Sequence, residues 1–160
     1  MGMEIERKFL VDEARLRPLL SGGEALRQGY LADNESMAVR VRIAGDKAWL
    51  TIKGAGRAHA SGAVARAEFE YAIPREDADQ MLDQLVQGAC VSKTRYRIAN
   101  AGYVWEVDVF EGANQGLIVA EVEMESAQSE PPLPAWVAEE VSADPRYLNV
   151  NLAKCPFSQW

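Results

Sequence analysis

The sequence predicts an α+β chain dominated by antiparallel β-strands, a meander or barrel with few helices, and three observations carry that expectation. Apolar and charged residues alternate with a period of two in segment after segment. The stretches "AGDK" (44–47) and "NAG" (100–102) hold turn residues where antiparallel hairpins need them. Clear helical periodicity occurs once, from about Arg75 to Gln87. There Pro74 suits the first position, Ala78, Met81, Leu82 and Leu85 form an apolar stripe, and Gly88 can end the helix.

Side chains on a strand point alternately to its two faces. In "MEIERKFLV" (3–11) Glu4, Glu6 and Lys8 therefore share one face, with Ile5, Arg7, Phe9 and Val11 on the other. "MAVRVRI" (37–43) sets Arg40 and Arg42 against Val39, Val41 and Ile43. "AWLTIKG" (48–54) sets Thr51 and Lys53 against Leu50 and Ile52. "RAEFEYAI" (66–73) reads as one strand with Arg66, Glu68 and Glu70 against Phe69, Tyr71 and Ile73. "KTRYRI" (93–98) gives Lys93, Arg95 and Arg97, "YVWEVDVF" (103–110) gives Glu106 and Asp108, and "VAEVEME" (119–125) gives Glu121, Glu123 and Glu125. Shorter helical pieces are expected at "DEARLRPLL" (12–20) and "LPAWVAEEV" (133–141). The small-residue stretch "GAGRAHASGAVA" (54–65) is expected to be a mobile loop.

At 160 residues, 48% hydrophobic and 26% charged, residues 1–160 are expected to form a single globular domain with a core of its own. No run approaches the length of a membrane span, and acid stands near the N-terminus where a signal peptide is apolar, so the expected compartment is cytoplasmic. "MGMEIE" begins like a myristoylation site but has Glu6 where Ser or Thr is required. Gly2 reads as a cloning remnant, with Met3 as the native start. The formal net charge of −7 opposes nonspecific binding to nucleic acid or membrane. Cys90 and Cys155 lack zinc-site spacing and are expected to be reduced. The one histidine, His59, sits in the small-residue stretch, which argues against a Ser-His-Asp or Cys-His mechanism.

The ordinary reading of a charged strand face is that water covers it. Here the charges are segregated by sign within strands, whereas a merely soluble face mixes signs to avoid like-charge neighbours. A barrel would turn these faces inward, and an interior this polar is costly as pure structure. Clustered carboxylates with no His or Cys favour a hard ion such as Mg²⁺ or Mn²⁺, and clustered Arg and Lys favour phosphate oxygens. Together they describe a site for a metal-polyphosphate.

The opening Glu4-x-Glu6-x-Lys8 resembles the signature of the CYTH superfamily, the triphosphate tunnel metalloenzymes. The resemblance continues in order through "RQGYL" (27–31), "VRVR" (39–42), "TIKG" (51–54), "EFEY" (68–71), "SKTRY" (92–96), "WEVDVF" (105–110), "AEVEME" (120–125) and "EEVSADPRYLNVNLA" (139–153). It spans nearly the whole chain and is most similar to the short bacterial members. It implies an eight-stranded antiparallel β-barrel, a tunnel with a charged interior and a few packing helices, that binds a linear triphosphate with Mg²⁺ or Mn²⁺.

Carried over by residue, the resemblance assigns phosphate oxygens to Lys8, Arg40, Arg42, Lys53 and Arg95, with Lys93 as a helper. It assigns metal and the attacking water to Glu4, Glu6, Glu68, Glu70, Asp108, Glu121 and Glu123, and it places Tyr30 near Lys8. The catalytic set is then Glu4, Glu6, Lys8, Lys53 and Tyr30. Some relatives carry a lysine in the last segment, where this chain has Asn149, Val150 and Asn151; Lys154 is the residue that could substitute. Glu106 and Glu125 are expected at a solvated rim, Arg66 and Arg97 as counter-ions, and Trp49, Trp105, Trp136 and Trp160 as packing residues. The implied reaction is hydrolysis of inorganic triphosphate to pyrophosphate and phosphate. The alternatives are a nucleoside or thiamine triphosphatase, a class IV-type adenylyl cyclase, or a triphosphate- or polyphosphate-binding module without turnover. Apolar outer faces leave room for a homodimer.

Overall fold

Alternation along each long strand gives the sheet one charged and one apolar face, and the sheet curls around the charged one. The computed structural model describes residues 2–160. In chain order the elements are β1 (Glu4–Val11), α1 (Glu13–Leu16), β2 (Glu24–Asp33), β3 (Met37–Ala44), β4 (Lys47–Gly54), β5 (Arg57–Ala58), β6 (Val64–Arg66), β7 (Glu68–Ile73), α2 (Arg75–Gln84), β8 (Val91–Asn100), β9 (Tyr103–Phe110), β10 (Ile118–Glu123), β11 (Val137–Glu140) and α3 (Asn149–Lys154). The strands make one antiparallel sheet in the order β5-β6-β1-β10-β9-β8-β2-β3-β4-β7, with β11 added to β1. The run from β1 to β7 in that order contains eight longer strands, the number that the family resemblance implied.

The hydrogen-bonded ladder does not close on itself. β6 pairs with β1 (Glu4 opposite Arg66) and β7 pairs with β4 (Lys53 opposite Glu68), and only Ala67 separates β6 from β7. The segment read as one strand over 66–73 is thus split, and the covalent chain itself spans the seam between β1 and β4. The Ala67 carbonyl accepts from Gly54 N–H (2.9 Å), and Glu68 N–H donates to the Gly2 carbonyl (3.3 Å).

Helices and extra strands cover the apolar outside. Ala78 and Leu82 of α2 pack on Val41, Ile43 and Ala48, but the helix stops at Gln84 and Leu85, at its C-cap, is exposed. Leu16 of α1 joins Phe9, Trp105, Val107 and Trp136. The helix expected at 133–141 is instead strand β11. β6 leaves β1 after Glu6, and β11 takes up the freed edge with Phe9 opposite Glu140, while Trp136 packs edge-on against Trp105 at 5.6 Å. Arg7, which blurred the apolar face of β1, is answered by a two-pronged pair with Glu140 (2.7 and 3.0 Å).

The stretch 54–65 is less free than its composition suggested. It forms the β5–β6 hairpin, with Ala63 fully buried beside Met124 and Ala127, and Ser61 Oγ donates to the Ala127 carbonyl (2.6 Å). Among the described residues no helix is long and apolar enough to cross a membrane.

Candidate active site

The curled sheet encloses a cavity of about 850 Å³. β1 contributes Glu4, Glu6 and Lys8, and β10 contributes Glu121 and Glu123, held in step by Glu6 opposite Glu123 and Lys8 opposite Glu121. Arg40 and Arg42 come from β3, Lys53 from β4, Glu68 and Glu70 from β7, and Arg95 from β8. β10 and β3 lie four strands apart in the order of eight, so the Glu121–Glu123 wall stands across from the Arg40–Arg42 wall. One end is closed by Leu148, Asn149 and Val150 at the start of α3, and there Lys8 Nζ donates to the Tyr147 carbonyl (3.2 Å). Tyr30 is buried toward this end.

Residues 2–153 match the CYTH domain family. The chain belongs to the CYTH family. Over 160 residues it is 40% identical to a protein of Acetivibrio thermocellus named inorganic triphosphatase, covering 100% of this chain and 99% of that one. It is 37% identical to an inorganic triphosphatase of Nitrosomonas europaea, covering 94% and 96%. Among solved structures, that of the inorganic triphosphatase NE1496 superposes with a TM-score of 0.62 at 34% identity, covering 92% of this chain and 95% of that one.

In this CYTH chain the acids of the charged strand faces fall into two groups. Glu4, Glu6, Glu68, Glu121 and Glu123 crowd one another. Burial, then Glu121 and Glu4, drive the Glu6 carboxyl well above the usual range. Burial and a hydrogen bond to Glu4 push Glu68 up to about 7. Burial would raise Glu4 too, but Glu68 and Lys53 hold it below its ordinary value, with Lys53 Nζ at 3.0 Å. Glu121 is buried yet kept well down by Lys8 and Arg95, whereas Glu123 is raised by burial, Glu4 and Glu106. Among the described residues no three His, Cys, Asp or Glu side chains form a ready-made metal cage.

The second group of acids is committed to cations. Asp108 takes Arg95 Nε at 2.7 Å and Nη2 at 2.9 Å, and Lys93 Nζ at 2.6 Å. Neither Asp108 nor Lys93 lines the cavity; both stand behind Arg95. The metal role that the resemblance implied for Asp108 thus meets a carboxylate whose two oxygens are already occupied. Glu70 accepts from Thr51 Oγ1 (2.9 Å) and Arg40 Nη2 (3.5 Å), although it does face the cavity.

Other expectations are redistributed. Lys154 pairs with Asp33 on the surface and does not reach the cavity; Asn149 does, and its Oδ1 accepts from Lys93 Nζ (3.0 Å). Glu106 lines the cavity and pairs with Arg95 (3.2 Å) and Arg97 (3.4 Å), while Glu125 is exposed. Arg66 is a counter-ion to Glu6 (3.6 Å) and Glu4 (3.9 Å). Trp105 and Trp136 pack in the core and Trp160 on Tyr147 and Phe157, but Trp49 lines the cavity.

Sequence reasoning missed two side chains beneath the arginines. Thr51 holds Arg40 Nη2 (3.1 Å), and Gln28 holds Arg42 Nε (2.9 Å); both are fully buried. Each stands in the alternation, but being uncharged it carried no signal of its own. The Arg95–Asp108 pair was within reach, because counting back from a two-residue turn at Ala101-Gly102 sets them opposite each other.

Proposed function

We propose that this chain is a divalent-metal-dependent triphosphatase that hydrolyses inorganic triphosphate to pyrophosphate and phosphate inside its cavity. The observation that carries this reading is the opposition of a crowded carboxylate wall and an arginine–lysine wall in one cavity. Near-full-length identity to proteins named inorganic triphosphatase supports it.

Lys8, Arg40, Arg42, Lys53 and Arg95 hold the phosphate chain through charge-assisted hydrogen bonds and fix its line of attack. The carboxylate wall fits a hard cation: its donors are all oxygen, and without added positive charge Glu6 and Glu68 are driven to keep protons. Mg²⁺ or Mn²⁺ is the kind of hard cation that such an all-oxygen donor set suits. Glu6, Glu121 and Glu123, with Glu4 and Glu68 beside them, would hold it, and bound there it would neutralise charge building on the phosphates. Carboxylates of the same wall orient the attacking water and accept its proton. Tyr30 gives the closed end a hydroxyl, supported by Gln28 Nε2 at 3.4 Å.

The test is phosphate release from tripolyphosphate, ATP and thiamine triphosphate with Mg²⁺ or Mn²⁺, alongside an assay for cyclic AMP. Tripolyphosphate is expected to be turned over fastest, with no cyclic product. Tight triphosphate binding with no phosphate release would make the cavity a binding module instead.

A further inference from the structure

Arg42 differs from every other cation of the cavity wall. Lys8, Arg40, Lys53, Arg66, Arg95 and Arg97 each face a carboxylate at 3.6 Å or less. Among the described residues Arg42 makes no ion pair, and its firm contact is neutral: Nε donates to Gln28 Oε1 at 2.9 Å. Burial and the nearby charges of Arg40 and Arg95 push Arg42 down to about 10, as befits a cation short of counter-charge.

Gln28 is built into this place. It sits directly opposite Arg42 in the β2–β3 register and is fully buried. Its amide nitrogen donates to the Tyr30 hydroxyl (3.4 Å), which turns the amide oxygen toward Arg42. Holding Nε leaves both terminal nitrogens of the guanidinium for another partner. A carboxylate at position 28 would hold Nε equally well but would cancel the charge, as Asp108 does for Arg95.

We propose that Gln28 is a positioning residue whose neutrality matters: it orients Arg42 while leaving its positive charge for the polyanion to compensate. The inference rests on the triphosphatase reading and deepens it, since it names what makes Arg42 the anchor for phosphate.

The test is a double-substitution cycle with Gln28→Glu, Gln28→Met and Arg42→Met, reading kcat and KM for tripolyphosphate, metal-free tripolyphosphate binding by calorimetry, and the melting temperature without ligand. Gln28→Glu keeps shape and acceptor, so the ligand-free protein should melt no lower than wild type while KM and Kd rise by about tenfold or more. In the Arg42→Met background the same change should cost less than about threefold, because the charge it cancels is gone. Gln28→Met, which removes the acceptor without adding charge, should also weaken binding in an Arg42-dependent way, and it serves as the test if Gln28→Glu does not fold. Equal costs in both backgrounds, or wild-type binding in either Gln28 variant, overturn the proposal. Wild-type protein that binds tripolyphosphate without hydrolysing it overturns the triphosphatase reading alone, because the binding arm still tests Gln28.

Discussion

Lys93 Nζ lies 2.6 Å from Asp108 Oδ2, with the two side chains 0% and 1% exposed, and the other oxygen of Asp108 receives Arg95 Nε. Removing one partner of a buried ionic cluster leaves uncompensated charge, at a cost of about 3–5 kcal/mol. Asp108→Asn should therefore lower stability by about that much in denaturant unfolding. It should also loosen Arg95, raising KM for tripolyphosphate at every Mg²⁺ concentration. Recovery of activity with added Mg²⁺ would return Asp108 to the metal ligands.

The same cluster gives stability a dependence on alkaline pH. Burial, with Arg95 and Arg42 nearby, brings Lys93 down to about 7 from an ordinary 10.5 despite Asp108. Between those values the unfolded chain binds a proton at this side chain that the folded chain does not, so this contribution to stability grows as pH rises from 7 toward 10.5 and is lost as pH falls through 7. The stability difference between wild type and Lys93→Met should increase across that window, by at most about 1.4 kcal/mol per pH unit. A flat difference in unfolding free energy from pH 7 to 10 would show that Lys93 stays charged.

Carboxylate and cation substitutions should respond differently to metal. Glu6→Gln or Glu123→Gln weakens the acidic wall, so activity lost at low Mg²⁺ should return in part as Mg²⁺ is raised. Arg40→Ala removes a charge-assisted contact of about 1.5–3 kcal/mol on the far wall, which metal cannot replace. The measurement is a Mg²⁺ titration of tripolyphosphate hydrolysis for the three variants, and parallel recovery would refute the division between the walls.

Gly29 carries the sheet under α2. A Cβ there would meet Val86 Cγ2 at 2.6 Å and Leu82 Cδ2 at 3.0 Å, so in Gly29→Ala these side chains, the helix region or β2 between Gln28 and Tyr30 must shift. Overpacking of this kind costs about 1–3 kcal/mol. A lower melting temperature is expected, with a rise in KM because both neighbours of Gly29 belong to the site. An unchanged melting temperature would mean that the helix yields freely.

Alternation is a local property of an extended backbone, and it determined which face of each long strand carries charge. Glu4, Glu6, Lys8, Arg40, Arg42, Lys53, Glu121 and Glu123 line the cavity on the faces that the period of two assigned them. The single-sign pairs Arg40–Arg42 of β3 and Glu121–Glu123 of β10 stand on opposed walls, while Lys8 and Lys53 sit beside Glu121 and Glu4. What each charge touches was decided by tertiary structure, because pairing depends on register and on which strand lies alongside. Asp108 and Glu123 look alike in an alternating run, yet one is locked behind Arg95 and the other opens into the cavity. The edge left free beyond Glu6 turned 137–140 into a strand, and the break at Ala67 let one segment serve both sides of the seam. Gln28 stayed invisible for the same reason: an uncharged side chain has no pattern to read until the sheet places it opposite an arginine that makes no ion pair among the described residues.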